Sequence, residues 1–123
     1  MAEVLLIDDD PRFRAMVRMM LEGGGHAVRA AADGVEGIDR FSQRRPDIVI
    51  ADMIMPRCDG IETIGVLRWL DSSVPIIAVS GGSVDVLGMA RASGAVATLA
   101  KPFDASTLLT AVTAAIGGSR LPN

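Results

Sequence analysis

Asp47-Ile48-Val49-Ile50-Ala51-Asp52-Met53-Ile54-Met55-Pro56-Arg57-Cys58-Asp59-Gly60 is the stretch that decides the fold. Residues 48–51 are β-branched or small and apolar with no polar alternation, the pattern of a strand buried on both faces inside a parallel sheet. The run ends in a carboxylate, Asp52, and a loop follows, marked by Pro56 and the turn pair Asp59-Gly60. An ionised group closing a fully apolar strand is costly unless a partner or a metal satisfies it. Taken alone, Asp52 would be a solvated strand end or a helix cap. The remaining strands change that.

Residues 4–7 form a similar run, which ends in Asp8-Asp9-Asp10. Asp10 before Pro11 predicts an N-cap followed by proline at the first helical position. Phe13, Val17, Met20 and Leu21 then fall on one helical face, with Met16 and Met19 widening the stripe as packing residues. Gly23-Gly24-Gly25 stops that helix; because it follows a helix rather than a strand, it is a turn and not a phosphate loop. A weaker strand at 26–31 is opened by His26 and closed by Asp33-Gly34. The next helix, with Val35, Ile38 and Phe41 inward, ends before Pro46. Beyond Asp52 and its loop, Ile61, Ile64 and Leu67 mark a third helix, with Trp69 and Leu70 at its end and Asp71-Ser72-Ser73 as its breaker. Residues 75–79 are a fourth strand that runs into Ser80-Gly81-Gly82-Ser83. A fourth helix over about 84–92 contains Gly88 and has a ragged apolar pattern, so its stability is expected to be low. A fifth strand at 96–100 leads to Lys101-Pro102-Phe103. Asp104 caps a last helix with Leu108, Val112, Ala115 and Ile116 inward. Gly117-Gly118 is expected to end it, leaving 118–123 as a tail after one domain at 1–117.

The 123 residues suffice for about one domain, and half of them are hydrophobic, so a substantial core is expected. No apolar run approaches the ~18 residues that cross a bilayer. The N-terminus carries Glu3 and lacks a basic region ahead of an apolar one, so no secretory signal is expected. The single cysteine, Cys58, forms no internal disulfide and fits a reducing cytoplasm. A net charge of −3 without a Lys/Arg cluster disfavours nucleic acid as a partner. One histidine, His26, and one cysteine do not assemble a zinc site.

Five strands alternating with five helices predict an α/β fold, a doubly wound parallel sheet with helices on both faces. Such sheets bind ligands outside the carboxyl ends of their strands, where the strand order reverses. Those ends carry Asp8-Asp9, Asp52, Ser80 and Lys101: four of five strands finish in a group able to handle phosphate or metal. Clustered carboxylates repel one another, and a hard divalent cation relieves them. Mg²⁺ needs only one or two carboxylates plus substrate oxygens and water. With a lysine and a hydroxyl nearby, the set suits phosphoryl transfer, which asks mainly for alignment and charge stabilisation. Asp52 is then the nucleophile, carrying phosphate as an acyl phosphate. Gly81 lets the backbone approach the phosphoryl group.

On the acidic pair Asp8-Asp9, Asp52 followed by Met55-Pro56 and Asp59-Gly60, the hydroxyl of Ser80, and Lys101-Pro102-Phe103, nearly the whole chain resembles a response-regulator receiver domain of the chemotaxis (CheY-like) type, from two-component signalling. The resemblance implies a flavodoxin-like strand order 2-1-3-4-5. It implies that Asp52 accepts phosphate from the phosphohistidine of a histidine kinase or phosphotransfer protein. It implies Mg²⁺ bound by Asp9, Asp52 and the Ile54 carbonyl, with Asp8 assisting through water, and Lys101 on the phosphoryl oxygens. The Lys101–Pro102 bond is expected to be cis.

Two positions depart from the family pattern. The switch position three residues before the lysine is usually aromatic and is Thr98 in this chain, and the hydroxyl of the fourth strand is followed by Gly81-Gly82 rather than alanine. Both bear on readout, which is expected to involve movement of residues 80–92 and a separate target protein. Two alternative readings differ at identifiable positions. A haloacid-dehalogenase-type phosphohydrolase places a second Asp two residues after the nucleophile, and that position is Ile54. A pseudo-receiver that never takes phosphate is expected to have lost one of the acidic or lysine positions, and all are present. The expectation is therefore a cytoplasmic phosphoacceptor, not a turnover enzyme, with neither nucleic acid nor membrane as a partner.

Overall fold

The computed structural model describes residues 2–53, 60–81 and 84–120, side chains excepted at 84–87 and 118–120. In chain order its elements are β1 (Glu3–Ile7), α1 (Pro11–Gly23), β2 (Ala27–Ala31), α2 (Gly34–Gln43), β3 (Ile48–Asp52), α3 (Gly60–Leu70), β4 (Ile76–Ser80), α4 (Val84–Ser93), β5 (Ala97–Ala100) and α5 (Ala105–Arg120). Among the described residues all five strands join one parallel sheet in the order β2-β1-β3-β4-β5. The expected fold class and strand order are both observed.

Side chains alternate across a strand, and because both faces are covered, both alternates are apolar. Leu5 and Ile7, Val49 and Ala51, and Ile76 and Ala78 pack with Phe41 of α2, Ile64 and Leu67 of α3 and Ala90 of α4. Their neighbours Val4 and Leu6, Ile48 and Ile50, and Ile77 and Val79 pack with Val17 and Leu21 of α1 and Leu108 and Val112 of α5. Right-handed crossovers account for this division. From β2 onward each crossover advances in one direction and places α2, α3 and α4 on one face. The β1-to-β2 crossover runs the other way and places α1 on the opposite face. The reversal lies between β1 and β3, so the carboxyl ends of those two strands flank the crevice.

Asp10 and Asp104 cap helices where the sequence predicts it, and Asp33, expected only to close the second strand, caps α2. The Asp10 carboxylate accepts from the N–H groups of Arg12 (3.0 Å) and Phe13 (3.4 Å), Asp33 accepts from Glu36 (2.8 Å), and Asp104 accepts from Thr107 (2.8 Å). Bonds of this kind satisfy helix-end donors and contribute about 1 kcal/mol each. The bonds to Thr107 also hold the Asp104 carboxyl below the usual carboxylate range. α1 ends with the His26 N–H bonded to the Leu21 carbonyl at 3.0 Å and Gly25 at φ 90°, where a side chain would be strained. His26 accepts from the Ala2 N–H through Nδ1 at 3.2 Å, a structural role at the strand opening.

Three expectations are corrected. Met16 and Met19 are exposed rather than packed, because α1 is covered only along Phe13, Val17, Met20 and Leu21. Val35 is also exposed; α2 buries the i, i+3, i+7 set Gly34, Gly37 and Phe41 with Ile38 beside it, and Val35 lies off that stripe. Trp69, at the end of α3, is 85% exposed. Gly117-Gly118 does not stop α5, which continues through Arg120. Glycine lowers helix propensity by roughly 1 kcal/mol but does not forbid the conformation.

Arg68 locks the lower part of the fold. Its guanidinium donates to the Gly94 carbonyl from Nε (3.0 Å) and Nη2 (2.8 Å), and to the Val74 carbonyl from Nη1. α3, the entry to β4 and the α4–β5 turn are thereby joined. Desolvation lowers the Arg68 pKa from the ordinary guanidinium value, against the opposing pull of Asp71. Among the described residues no helix is long and apolar enough to cross a membrane.

Candidate functional site

The crevice between β1 and β3 is built from strand ends. Asp8 follows β1 directly; its N–H donates to the Ala31 carbonyl at 3.1 Å, which continues the β1–β2 pairing by one residue. Its carboxylate accepts from the Asp10 N–H at 2.9 Å, and Arg14 donates to its carbonyl at 2.8 Å. Asp8 is thus held at three points and is only 1% exposed. Asp9, next in line, is exposed. Asp52 closes β3 and is 6% exposed; the following N–H, that of Met53, donates to the Val79 carbonyl at 2.9 Å.

Lys101 arrives from the exit of β5. Its N–H donates to the Ser80 carbonyl at 3.0 Å, so the end of β4 sets where the lysine stem begins. The Lys101–Pro102 peptide is cis, as expected. The ammonium lies 3.2 Å from Asp8 Oδ2 and 3.5 Å from Asp52 Oδ2, with the lysine side chain 23% exposed. One carboxylate oxygen each from Asp8, Asp9 and Asp52 lie within 4.8 Å of one another. Among these four groups three negative charges face one positive charge, an excess that a divalent cation relieves. Hard oxygen donors of this kind, partly buried and partly open through Asp9, match what Mg²⁺ takes from a protein.

The structure therefore brings together four of the residues singled out from sequence: Asp8, Asp9, Asp52 and Lys101. Ser80 is fully buried at the end of the neighbouring strand, registered against Ala100. Gly81 is exposed beside the lysine stem, and a Cβ there would meet Lys101 Cβ at 3.7 Å, an ordinary contact. Packing does not demand glycine at that position. Thr98 is half-buried and registered against Ala78; Ala97 and Leu99 pack toward α1 and α5, so Thr98 faces the α4 side. Ile54, whose carbonyl was expected to complete the metal set, lies outside the described residues, as does Gly82.

Sequence reasoning missed the aromatic wall. Phe13 appears in the sequence as a core position of α1, yet the Lys101 ammonium sits 3.9 Å from the centre of its ring. Phe103 meets Phe13 edge to face, with centroids 5.6 Å apart and planes at 85°. A signal was present: Phe13 lies three residues beyond the Asp10 cap, in the first turn of a helix that begins at the strand ends.

A family model described as response regulator receiver domain matches residues 4–113. The response regulator MprA of Mycobacterium sp. (strain KMS) is 37% identical over 107 residues, which are 86% of this chain and 46% of that protein. The chain thus spans about half the length of the curated relatives it matches. Among solved structures, the chemotaxis response regulator CheY4 of Vibrio cholerae superposes with a TM-score of 0.86 at 33% identity, covering 94% of this chain and 98% of CheY4. NtrX from Brucella abortus superposes with a TM-score of 0.93 at 26% identity, covering 97% of this chain and 27% of NtrX. With the family match over nearly its whole length and an acidic crevice at the reversal point of its sheet, the chain belongs to the response regulator receiver domains of two-component signalling.

Proposed function

We propose that this receiver accepts a phosphoryl group on Asp52 from the phosphohistidine of a histidine kinase or phosphotransfer protein. The observation that carries this is the Lys101 ammonium within 3.5 Å of both Asp8 and Asp52, at a cluster of three carboxylates. A carboxylate oxygen of Asp52 attacks phosphorus, the phosphorus–nitrogen bond breaks, and the electron pair leaves with the donor imidazole, which returns neutral because its other ring nitrogen carries a proton. Asp8, Asp9 and Asp52 would hold Mg²⁺, with the Ile54 carbonyl as a further ligand. When bound, the cation offsets charge on the phosphoryl oxygens. Lys101 meets the same oxygens as a point charge. The chain acts as a phosphoacceptor that promotes its own phosphorylation and dephosphorylation rather than as a turnover enzyme. Ile54, two residues after the acceptor, has no proton to give and so does not fill the acid/base role of a phosphohydrolase. Incubated with acetyl phosphate and Mg²⁺, the protein gains one phosphoryl mass by intact-protein mass spectrometry, and chelation of the cation suppresses the gain. Equal adduct with and without chelator would rule out the metal-dependent mechanism.

Readout passes to a separate target through residues 80–92. Ser80 donates to the phosphoryl group, but a hydrogen bond to a charged group contributes about 1.5–3 kcal/mol. Moving a 1:99 equilibrium to 99:1 takes about 5.5 kcal/mol. Thr98 is too small to fill space vacated by Ser80 as an aromatic ring does, so Lys101 and the backbone at Gly81 share the bias. The target then reads the surface of α4, β5 and α5. Amide hydrogen exchange with and without beryllofluoride, a phosphoryl mimic, is expected to change most in residues 80–92 and little around Thr98. The opposite pattern would place the switch elsewhere.

A further inference from the structure

We propose that Phe13 is a positioning residue for phosphoryl transfer, holding the Lys101 ammonium in the crevice against the face of its ring. This role rests on Asp52 being the acceptor and on Lys101 meeting the incoming phosphoryl group. The ammonium lies 3.9 Å from the ring centre, where the negative face of the ring attracts a cation. Phe103 fixes the tilt of that ring by its edge-to-face contact at 5.6 Å. The clamp is compact, because Phe103 lies two residues after Lys101 and Phe13 sits in the first turn of α1, next to the acidic pair. One short segment delivers the cation and braces the ring that receives it.

A lysine stem has four rotatable bonds, and the 23% exposure of this one leaves a route outward to solvent. Asp8 and Asp52 draw the ammonium inward, but a divalent cation on those carboxylates weakens their pull and itself repels the ammonium. The ring is neutral, so its attraction does not depend on what the carboxylates are doing. Phe13 is the contact that persists when metal and phosphate arrive. Losing it lowers the fraction of molecules with the ammonium in place, and the transfer rate falls by that fraction.

Two measurements test this in the full chain. In the metal-free protein, the Lys101 ε-methylene protons are expected to be shifted upfield by the ring current in NMR spectra. The shift should vanish in Phe13→Leu and persist in Phe13→Tyr. With acetyl phosphate and Mg²⁺, Phe13→Leu should accept phosphate about three- to tenfold more slowly than wild type, the range a partly exposed cation–ring contact supports. Phe13→Tyr should stay near the wild-type rate. Phe13→Met, which fills irregular apolar space, replaces Phe13→Leu should the latter not fold at the assay temperature. A merely structural ring predicts rates that follow melting temperature rather than the upfield shift, and that pattern overturns the proposal. So does an unchanged rate in Phe13→Leu beside a wild type that accepts phosphate, which leaves the acceptor assignment intact. A wild type with the upfield shift and no phosphoryl adduct instead overturns the acceptor assignment, and this role with it.

Discussion

Asp52→Asn is expected to abolish phosphoryl acceptance and, in the metal-free protein, to raise the melting temperature. The first effect follows from chemistry, since an amide is a far poorer nucleophile than a carboxylate. The second follows from the crowding of Asp8, Asp9 and Asp52, whose oxygens lie within 4.8 Å of one another around one ammonium. Removing one of three like charges relieves repulsion on the order of 1 kcal/mol, or a few degrees for a domain of this size. Lys101→Ala loses acceptance too but moves stability the other way. It strands the largely buried Asp8 and Asp52 carboxylates without their shared cation, at about 2 kcal/mol, less than for a fully buried pair because the lysine is partly solvated. Mg²⁺ should restore part of that loss by binding only the folded state. Intact-protein mass spectrometry reads the adduct, and thermal melts with and without Mg²⁺ read the stability. A phosphoryl adduct surviving in Asp52→Asn would move the acceptor to another residue. A melting temperature well below wild type would mean that Asp52 is held by attraction rather than crowded by repulsion.

Gly60→Ala is the second large effect, and it acts through backbone rather than chemistry. A Cβ at Gly60 would stand 2.4 Å from Met53 Cα, 2.5 Å from Met53 Cε and 2.7 Å from the Asp52 carbonyl oxygen. The methionine methyl can swing aside, but the other two atoms are backbone of Asp52 and its neighbour. The Gly60 N–H also donates to the Met53 carbonyl at 3.1 Å, so α3 starts against the end of β3 with no slack. Separating them is expected to cost about 3 kcal/mol and to slow phosphoryl acceptance by displacing Asp52 from Lys101. Gly65→Ala, on the same helix, is the control. Nothing lies within 4 Å of a Cβ there, and the substitution should stabilise by roughly 0.5–1 kcal/mol through helix propensity alone. Urea titration of both variants separates the cases: equal stabilities would mean that α3 yields freely and that Gly60 does not set the position of Asp52.

Most of the fold is legible in the chain because its signals are local and redundant. Residues 48–51 have no polar alternation, so the strand they form must be covered on both faces, and β3 is fully buried along its length. Asp10-Pro11 and Asp104 start helices by bonds that reach only two or three residues ahead, which a sequence states directly. The same holds for the residues at strand ends. A parallel sheet aligns its carboxyl ends whatever the order of its strands, so Asp8, Asp52, Ser80 and Lys101 had to share one edge.

What the sequence could not decide is how that edge is arranged and how wide each covered face is. Met16, Met19 and Val35 are as apolar as their buried neighbours; only the placement of α1 and α2 on the sheet leaves them in solvent. Gly117-Gly118 has the composition of a helix stop, yet α5 runs on to Arg120. The strand order came by family likeness, since periodicity is blind to which strands are neighbours. Asp8 is among the most buried groups of the site and pairs with Lys101 at 3.2 Å, a contact between residues 93 positions apart. Phe13 belongs in the same class, for its helical spacing specifies only that one face turns inward. That the ring lies under an ammonium delivered from β5 depends on two crossovers and the reversal between β1 and β3. Local sequence therefore determined which chemistry the strand ends carry, and tertiary structure decided which groups touch, because touching is set by the path of the chain between them.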